Sequence, residues 1–276
     1  MYKSFIRPVM EYACVVWDGC SEKNFDRLES VQLRAGRIVC GAIKHTSHSI
    51  IYNELGWERL SKRRERFKLL LFHKMVHGIA PKYLQDMLPQ TVAERNSYQV
   101  RNASGLSQSI VRTRLSLFEH SFLPSSIKLW NMLPEEQRTI ADPQTFKKSL
   151  LPDKNDKVNL FFLGERRTNI THSRLRMNCS ALKAHLYDMH IIDDSSCACG
   201  AQREDSAHYF FECPLFYYLR NDLHESIVNI APFNLKTLFY GDEGNTYSNN
   251  KLIFYAVHKY IDKSKRFSVS HNPTTP

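Results

Sequence analysis

A chain of 276 residues, 42% hydrophobic and 12% aromatic, has enough apolar material for two ordinary domains with real cores. Its 38 Lys and Arg against 28 Asp and Glu give a net charge of +10 and a pI near 9.2, which biases the surface toward polyanions, nucleic acid first and anionic membrane second. The absence of a signal-peptide pattern and of a long apolar run speaks against a secreted or membrane-spanning protein, and seven cysteines, an odd number, point to reduced thiols in an intracellular compartment, cytoplasm or nucleus.

Residues 1–20 are apolar and aromatic, with Tyr12, Val15, Val16 and Trp17 among them, and fit a buried helix end or strand closed by Asp18-Gly19. From Ser21, the apolar residues Phe25, Leu28, Val31, Ala35 and Ile38 recur at three- and four-residue steps, which predicts an amphipathic helix ended by Gly41. A second, strongly basic helix is expected from Leu60 to His77, with Leu60, Phe67, Leu70, Leu71 and Met75 inward and Lys62, Arg63 and Arg66 outward. Residues 89–112 are polar and read as a loop. Pro124 and Pro134 bracket a short apolar helix, and a last helix near Asp142–Leu150 closes the first unit.

Pro152 to Asp156 is the linker candidate. Beyond it, helices are expected at 174–190, with Leu175, Cys179, Leu182 and Leu186 on one face, and in the stretches beginning Leu215 and Asn249. The end, SVSHNPTTP, lacks apolar side chains and reads as disordered. The expected fold is mainly α: a helical unit over 1–151, a basic helical unit over 157–267 containing a small irregular zinc-stapled module, and a tail over 268–276.

That module is SSCACGAQREDSAHYFFECP, which places Cys197, Cys199, His208 and Cys213 in the pattern C-x-C-x8-H-x4-C. Three thiols and an imidazole are the ligand chemistry of tetrahedral zinc, and a closed set of four protein ligands implies a structural site, because catalytic zinc keeps a position open for water. Gly200 permits a tight turn after the first pair, and Pro214 limits continuation of the segment beyond Cys213. The spacing departs from the C-x2-C-x4-H-x4-C of a retroviral-type knuckle. The plain alternative is a chance grouping, with His208 on the surface and Cys213 in a core.

No catalytic apparatus is visible. Asp193-Asp194 lacks the aromatic and the flanking strands of a polymerase palm and reads as a solvated turn; Pro152-Asp153 with Glu165-Arg166-Arg167 lacks the lysine and strands of a metal nuclease. The cations are more informative. Arg63, Arg64, Arg66 and Lys68, with Arg59 and Lys62, stripe the first basic helix, and Arg166, Arg167, Arg174 and Arg176 precede the cysteine module; both groups are candidate phosphate contacts, with a solvated helix face as the alternative. Tyr209 or Phe216 would stack a base if exposed, but burial beside the metal ligands is the preferred assignment.

The phrases YKSFIRPVMEYACVVWD, DRLESVQLRAGRIVCG, LGWERLSKRRERFKLLLFHKMVHGIAP, HSFLPSSIKLWNMLPEE and PQTFKKSL resemble, in order, the segment beyond the palm in reverse transcriptases of non-LTR retrotransposons of the jockey and CR1 kind. HSRLRMNCSALKAHLYDMHIIDDSSCACG, EDSAHYFFECPLF, LFYGDE and NNKLIFYAVHKYIDKSKRF look like the zinc-bearing tail of that group. The resemblance implies a thumb and post-thumb fragment of an RNA-directed DNA polymerase from a transposable element, with fingers, palm and endonuclease lying upstream of Met1. Magnesium would belong to that palm. It also implies RNA or DNA as partner, the element's own transcript or target, contact with the upstream polymerase domains, and no polymerase activity in this chain alone. The contrasting expectation is a helical scaffold or interaction protein from a degenerate element copy.

Overall fold

Several helices form where the apolar spacing places them, others (His48–Leu55, Arg166–Arg176, Leu235–Tyr240) where it gave no signal, and the buried face is often a different one. The computed structural model describes residues 1–44, 46–95, 106–151 and 160–268, and among these the chain is mainly helical. The β pairing recorded among them is an isolated bridge between Thr91 and Gln108, and no described helix is long and apolar enough to cross a membrane. The principal helices are α1 (Glu22–Cys40), α2 (His48–Leu55), α3 (Leu60–Val76), α4 (Phe122–Met132), α5 (Pro143–Ser149), α6 (Arg166–Arg176), α7 (Lys183–Asp188), α8 (Tyr217–Ile227), α9 (Leu235–Tyr240) and α10 (Tyr247–Ser264). Side-chain caps start several of them: Ser47 for α2, Asp142 for α5, Asn234 for α9 and Thr246 for α10 each accept a backbone N–H three residues on.

The chain divides into two compact units, Met1–Gln32 with Glu58–Lys154, and Leu33–Trp57 with Asn155–Pro276. The sequence alone assigns 33–57 to the first unit; in the structure this stretch packs within the second. The reason is local. Gly36 presents no side chain to α2, and a Cβ there would lie 2.9 Å from Ile51 Cγ2, so α2 sits against the bare side of α1. Glu54, also on α2, is buried and accepts from Arg176 Nη2 at 2.6 Å. The expected linker at 152–156 and the tail from 269 lie outside the described residues, as does the centre of the 89–112 loop.

In the first unit, α3 packs against α4 and α5 around Phe72, Ile127, Trp130 and Phe146. His73 stacks on Phe146 with ring centroids 4.2 Å apart and bonds the Ile140 carbonyl through Nε2. The apolar start of the chain is not the buried element its composition suggests. It forms short turns, Tyr2–Ile6, Arg7–Glu11 and Cys14–Trp17, in which Tyr2 and Cys14 are buried while Phe5, Val9, Tyr12 and Val16 remain 70–80% exposed. Polar contacts hold it instead: Tyr2 Oη donates to Gln32, and Glu11 pairs with Arg63. The inward face of α1 is likewise Gln32, Leu33, Gly36 and Cys40, with Val31 and Ile38 exposed.

The basic face of α3 turns inward for the same reason. Arg64 donates to Asp18 at 2.6 Å and stacks over Phe25 at 4.2 Å, and Lys68 pairs with Asp18 from one turn further on. One carboxylate therefore balances two buried cations. Phe67, expected in the core, is left at the surface.

In the second unit, α10 is the central element, contacting α6, α8 and α9. The core is Leu175, Leu182, Tyr209, Phe210, Leu223, Ile227, Leu238, Ile253, Val257 and Tyr260. The helix expected over 174–190 is two helices. Asn178 adopts φ +52°, the Cys179 N–H returns to the Arg174 carbonyl at 2.9 Å, and the Ser180 hydroxyl accepts from Leu182 N, starting α7. A neutral histidine pair sits beside this core: His172 Nε2–H donates to Leu238 O at 3.0 Å, which leaves His172 Nδ1 to accept from His258 Nε2–H at 3.2 Å.

These buried charges and rings can each be probed in solution. Asp18→Asn leaves Arg64 and Lys68 buried without a counter-charge and lowers stability by about 3–5 kcal/mol, read as a shift in the urea midpoint of the first unit. Burial, with Arg176 nearby, holds His258 down at about 4 and His172 well below its ordinary value, against the opposing pull of Asp262 on His258. Both rings are neutral when folded and take up protons when unfolded below about pH 6.5, so their contribution is intact above that pH and declines as pH falls toward 4, by roughly 3 kcal/mol for His258 alone. Chemical denaturation across that window measures the slope, and His258→Asn reduces it.

Candidate metal centre

The four side chains of the C-x-C-x8-H-x4-C pattern meet at one point, in the second unit. Their ligand atoms all lie within 4.8 Å of one another, with Cys197 Sγ 3.8 Å from Cys213 Sγ and Cys199 Sγ 3.3 Å from His208 Nε2. A tetrahedron with metal–sulfur bonds near 2.3 Å places sulfur atoms about 3.8 Å apart. The residues present therefore fit a metal ion.

Local structure explains the convergence. The Cys197–Gly200 turn is closed by Gly200 N to Cys197 O at 3.0 Å and Cys197 N to Ala201 O at 2.8 Å, with Gly200 at φ +95°, a conformation that suits glycine. His208–Glu212 forms a π-helical turn closed by Cys213 N to His208 O at 2.8 Å, so the imidazole and the third thiol project to the same point across one wide turn. Asp205 accepts from His208 N at 2.9 Å, and the Glu212 carboxylate faces His208 Nδ1 at 3.6 Å, the side of the ring turned from the sulfurs. Glu204, itself buried, takes a fork from Arg266 with both contacts at 2.6 Å and receives Lys183 N at 2.9 Å, which ties the loop to α7 and to the end of α10.

Between the ligands His208 and Cys213 lie Tyr209 and Phe210, both fully buried in the unit's core. Tyr260 Oη donates to the Tyr209 carbonyl at 2.6 Å, and the Tyr209 and Tyr260 rings meet at 5.2 Å. Tyr209 is thus a core residue, and Phe216 packs half-buried against it. Burial raises the pKa of the Cys197 and Cys213 thiols, whereas the Ala201 backbone N–H holds that of Cys199 below its ordinary value. A cation held by these four residues would supply the charge that keeps all three thiols as thiolates.

The candidate phosphate contacts are placed very differently. Arg63 pairs with Glu11, Arg64 and Lys68 with Asp18, and Arg66 with Glu58, so this part of the first basic helix is neutralised within its own unit. Arg176 is buried on Glu54, with its guanidinium 4.2 Å from the Phe161 ring centre. Around the cysteine loop the cations also face carboxylates: Arg203 with Asp188, Lys183 with Asp194 and Lys263 with Asp222. Asp194 accepts from Ser196 N, pairs with Lys183 and is exposed in a turn.

Arg166, Arg167 and Arg174 remain, and two of them converge on the end of α1. Arg166 Nη2 donates to Ile38 O at 3.0 Å and Arg174 Nε to Gly41 O at 2.7 Å, so α6 covers the carboxyl end of α1, whose dipole favours cations. Gly41 makes the approach possible: its φ is +65°, and a Cβ would lie 2.4 Å from Ile170 Cγ2. Arg34, Arg37 and Lys44 belong to the same end of α1 or the turn beyond it. None of these six cations has a carboxylate partner among the described residues. Basic residues on both sides of Gly41 were visible in the sequence; their convergence with α6, some 130 residues later, was not.

If the four ligands share an ion, the double variant Cys197→Ser/Cys213→Ser retains none where the native chain holds one, measured by elemental mass spectrometry. Chelation then lowers the melting temperature of the second unit by on the order of 10 °C or more, followed through the near-ultraviolet signal of Tyr209 and Tyr260. No family model matches the chain, and no curated protein or solved structure proved similar to it, so the chemistry of this centre rests on its own residues.

Proposed function

We infer that the protein holds nucleic acid through its second unit, with a structural zinc ion at Cys197, Cys199, His208 and Cys213, and that it derives from the thumb and tail of a retrotransposon RNA-directed DNA polymerase without contributing catalysis itself. The observation that carries this reading is the set of unpaired cations at the carboxyl end of α1. Arg166 and Arg174 are fixed on the carbonyls of Ile38 and Gly41 at the end of α1 with no acid partner among the described residues, and Arg34, Arg37, Lys44 and Arg167, their neighbours in sequence or along α1, have none either. Phosphate is the abundant ligand for such a region, and its contacts carry affinity and little sequence information. The four ligands are all protein side chains, which suits a structural ion, and zinc is the metal that three thiolates and an imidazole favour in a tetrahedron.

A second reading, a helical interaction protein, draws support from the first unit, where Phe5, Val9, Tyr12 and Val16 are 70–80% exposed on one short segment. Salt separates the two. Binding to a structured RNA, measured by filter retention across an ionic-strength series, weakens log-linearly with salt if phosphates are held, and Arg166→Ala/Arg167→Ala flattens the slope by about 0.7–0.9 for each phosphate no longer neutralised. An affinity indifferent to salt overturns the nucleic-acid reading and leaves the apolar face as the functional surface.

A further inference from the structure

We propose that the second unit carries a two-pocket groove beside the metal centre that takes unpaired bases of a single strand and prefers guanine in the pocket nearest the metal; this rests on the nucleic-acid reading above. The near pocket has a volume of about 280 Å³ and is bordered by Asn178, His185, Asp188, Arg203, Asp205 and Ser206. That is just below the range of roughly 300–1,000 Å³ common for larger ligands, and suits a single heterocycle. Ser206 is 6% exposed, and its hydroxyl is buried with no hydrogen-bond partner. That hydroxyl lies closed off behind the pocket wall, a donor and acceptor that a base reaches only if the wall yields slightly.

The charges select the ligand class. Arg203 donates to Asp188 through Nη2 at 2.7 Å and holds Nε 3.9 Å from Asp205, so one guanidinium stands between two carboxylates. A phosphate inside the pocket would meet two like charges, and a metal ion would meet the guanidinium, so the strand's phosphates stay outside and a base enters. A neutral heterocycle with donors on one edge and acceptors on another meets neither difficulty. Guanine is the base that offers a carboxylate two adjacent N–H donors, N1–H and the 2-amino group, and offers an arginine two adjacent acceptors, O6 and N7. The N1–H edge is free only when the base is unpaired, which makes the ligand single-stranded.

The pocket does not stand alone. Asn178, at φ +52°, also borders a depression of about 390 Å³ that includes Phe161, Arg176, Lys236 and Tyr240. Tyr240 is 40% exposed and meets Phe161 edge-on at 6.2 Å, giving a neighbouring base an aromatic wall. Asn178 at the junction and adjacent Leu235 and Lys236 make the two depressions successive stations of one path. The metal ligands support the first station, because Asp205 caps the His208 backbone N–H at 2.9 Å.

The test uses the full metal-loaded chain and fluorescently labelled oligouridines with one central guanosine, adenosine or cytidine. We expect the guanosine strand to bind about tenfold tighter than the others, and Asp188→Asn and Arg203→Met to remove that preference with metal content and salt slope unchanged. Both side chains are about half exposed, so their replacement leaves the fold in place. Equal binding of all strands, or variants that weaken every strand alike, overturns the groove while leaving phosphate holding intact. Failure to bind any strand at low salt overturns both.

Discussion

The meeting of three thiols and one imidazole fixes the segment 197–213, and the hydrophobic core of the second unit is assembled on that segment. Tyr209 and Phe210 lie between two of the ligands and against Tyr260 of α10, so the core cannot be packed independently of the ligand geometry. A cation shared by these side chains would therefore contribute to folding as well as to local order, since the unfolded chain has no preformed site. The π-helical turn is the hinge of the arrangement. An ordinary α-turn would advance Cys213 along the helix, whereas the wider turn lets it fall back toward Cys197. Arg220, donating to the Cys213 carbonyl at 3.2 Å, and Arg266, gripping Glu204, brace the loop from opposite ends.

Electrostatics sorts the remaining charge. A net charge of +10 suggests a basic exterior, yet a carboxylate placed opposite a guanidinium in a partly dry setting can draw the cation inward at modest net cost, provided hydrogen bonds complete the pair. Asp18, Glu11, Glu58 and Glu54 each do this, and each does it within one unit. Their effect is to concentrate the unmatched charge. The basic stripe of α3 thereby becomes largely paired within the first unit, while Arg166 and Arg174 in the second keep their charge unmatched at the end of α1. Arg166 and Arg174 are held there by carbonyls, which orient a guanidinium without neutralising it.

Much of this was legible in the sequence, and what was not follows one pattern. Helices α3, α5, α8 and α10 appear close to where periodicity and turn residues place them, because those signals are local, whereas α4 starts at Phe122 with Pro124 inside its first turn instead of before it. The ligand set was legible because its four members lie within seventeen positions. The buried faces were harder. Leu28, Val31 and Ile38 look like an inward stripe, but Gly36 on another side of α1 admits α2, and close approach outweighs side-chain hydrophobicity there. The ion pairs were invisible in principle, with Arg64 and Asp18 separated by 46 positions and Arg176 and Glu54 by 122. The break at Asn178 was missed because its cause, the return of Cys179 N to Arg174 O, requires no glycine or proline.

The residues that brace the metal loop are also those that shape the groove. Glu204, Asp205 and Ser206 are consecutive: the first anchors the loop to α7 and α10, the second caps His208, and the third holds a hydroxyl buried without a partner behind the pocket. Loss of an ion held by the four ligands would remove the link between His208 and the sulfurs while leaving the local cap of His208 N by Asp205 to hold that turn on its own. A structural ion can in this way govern recognition without touching the ligand, because it fixes the backbone from which the recognising side chains project. The cations at the end of α1 depend on no ligand of the ion; they are oriented by the carbonyls of Ile38 and Gly41. Affinity for phosphate and discrimination between bases would thus reside in separable parts of one unit, the first set by unpaired charge and the second by the metal-braced loop.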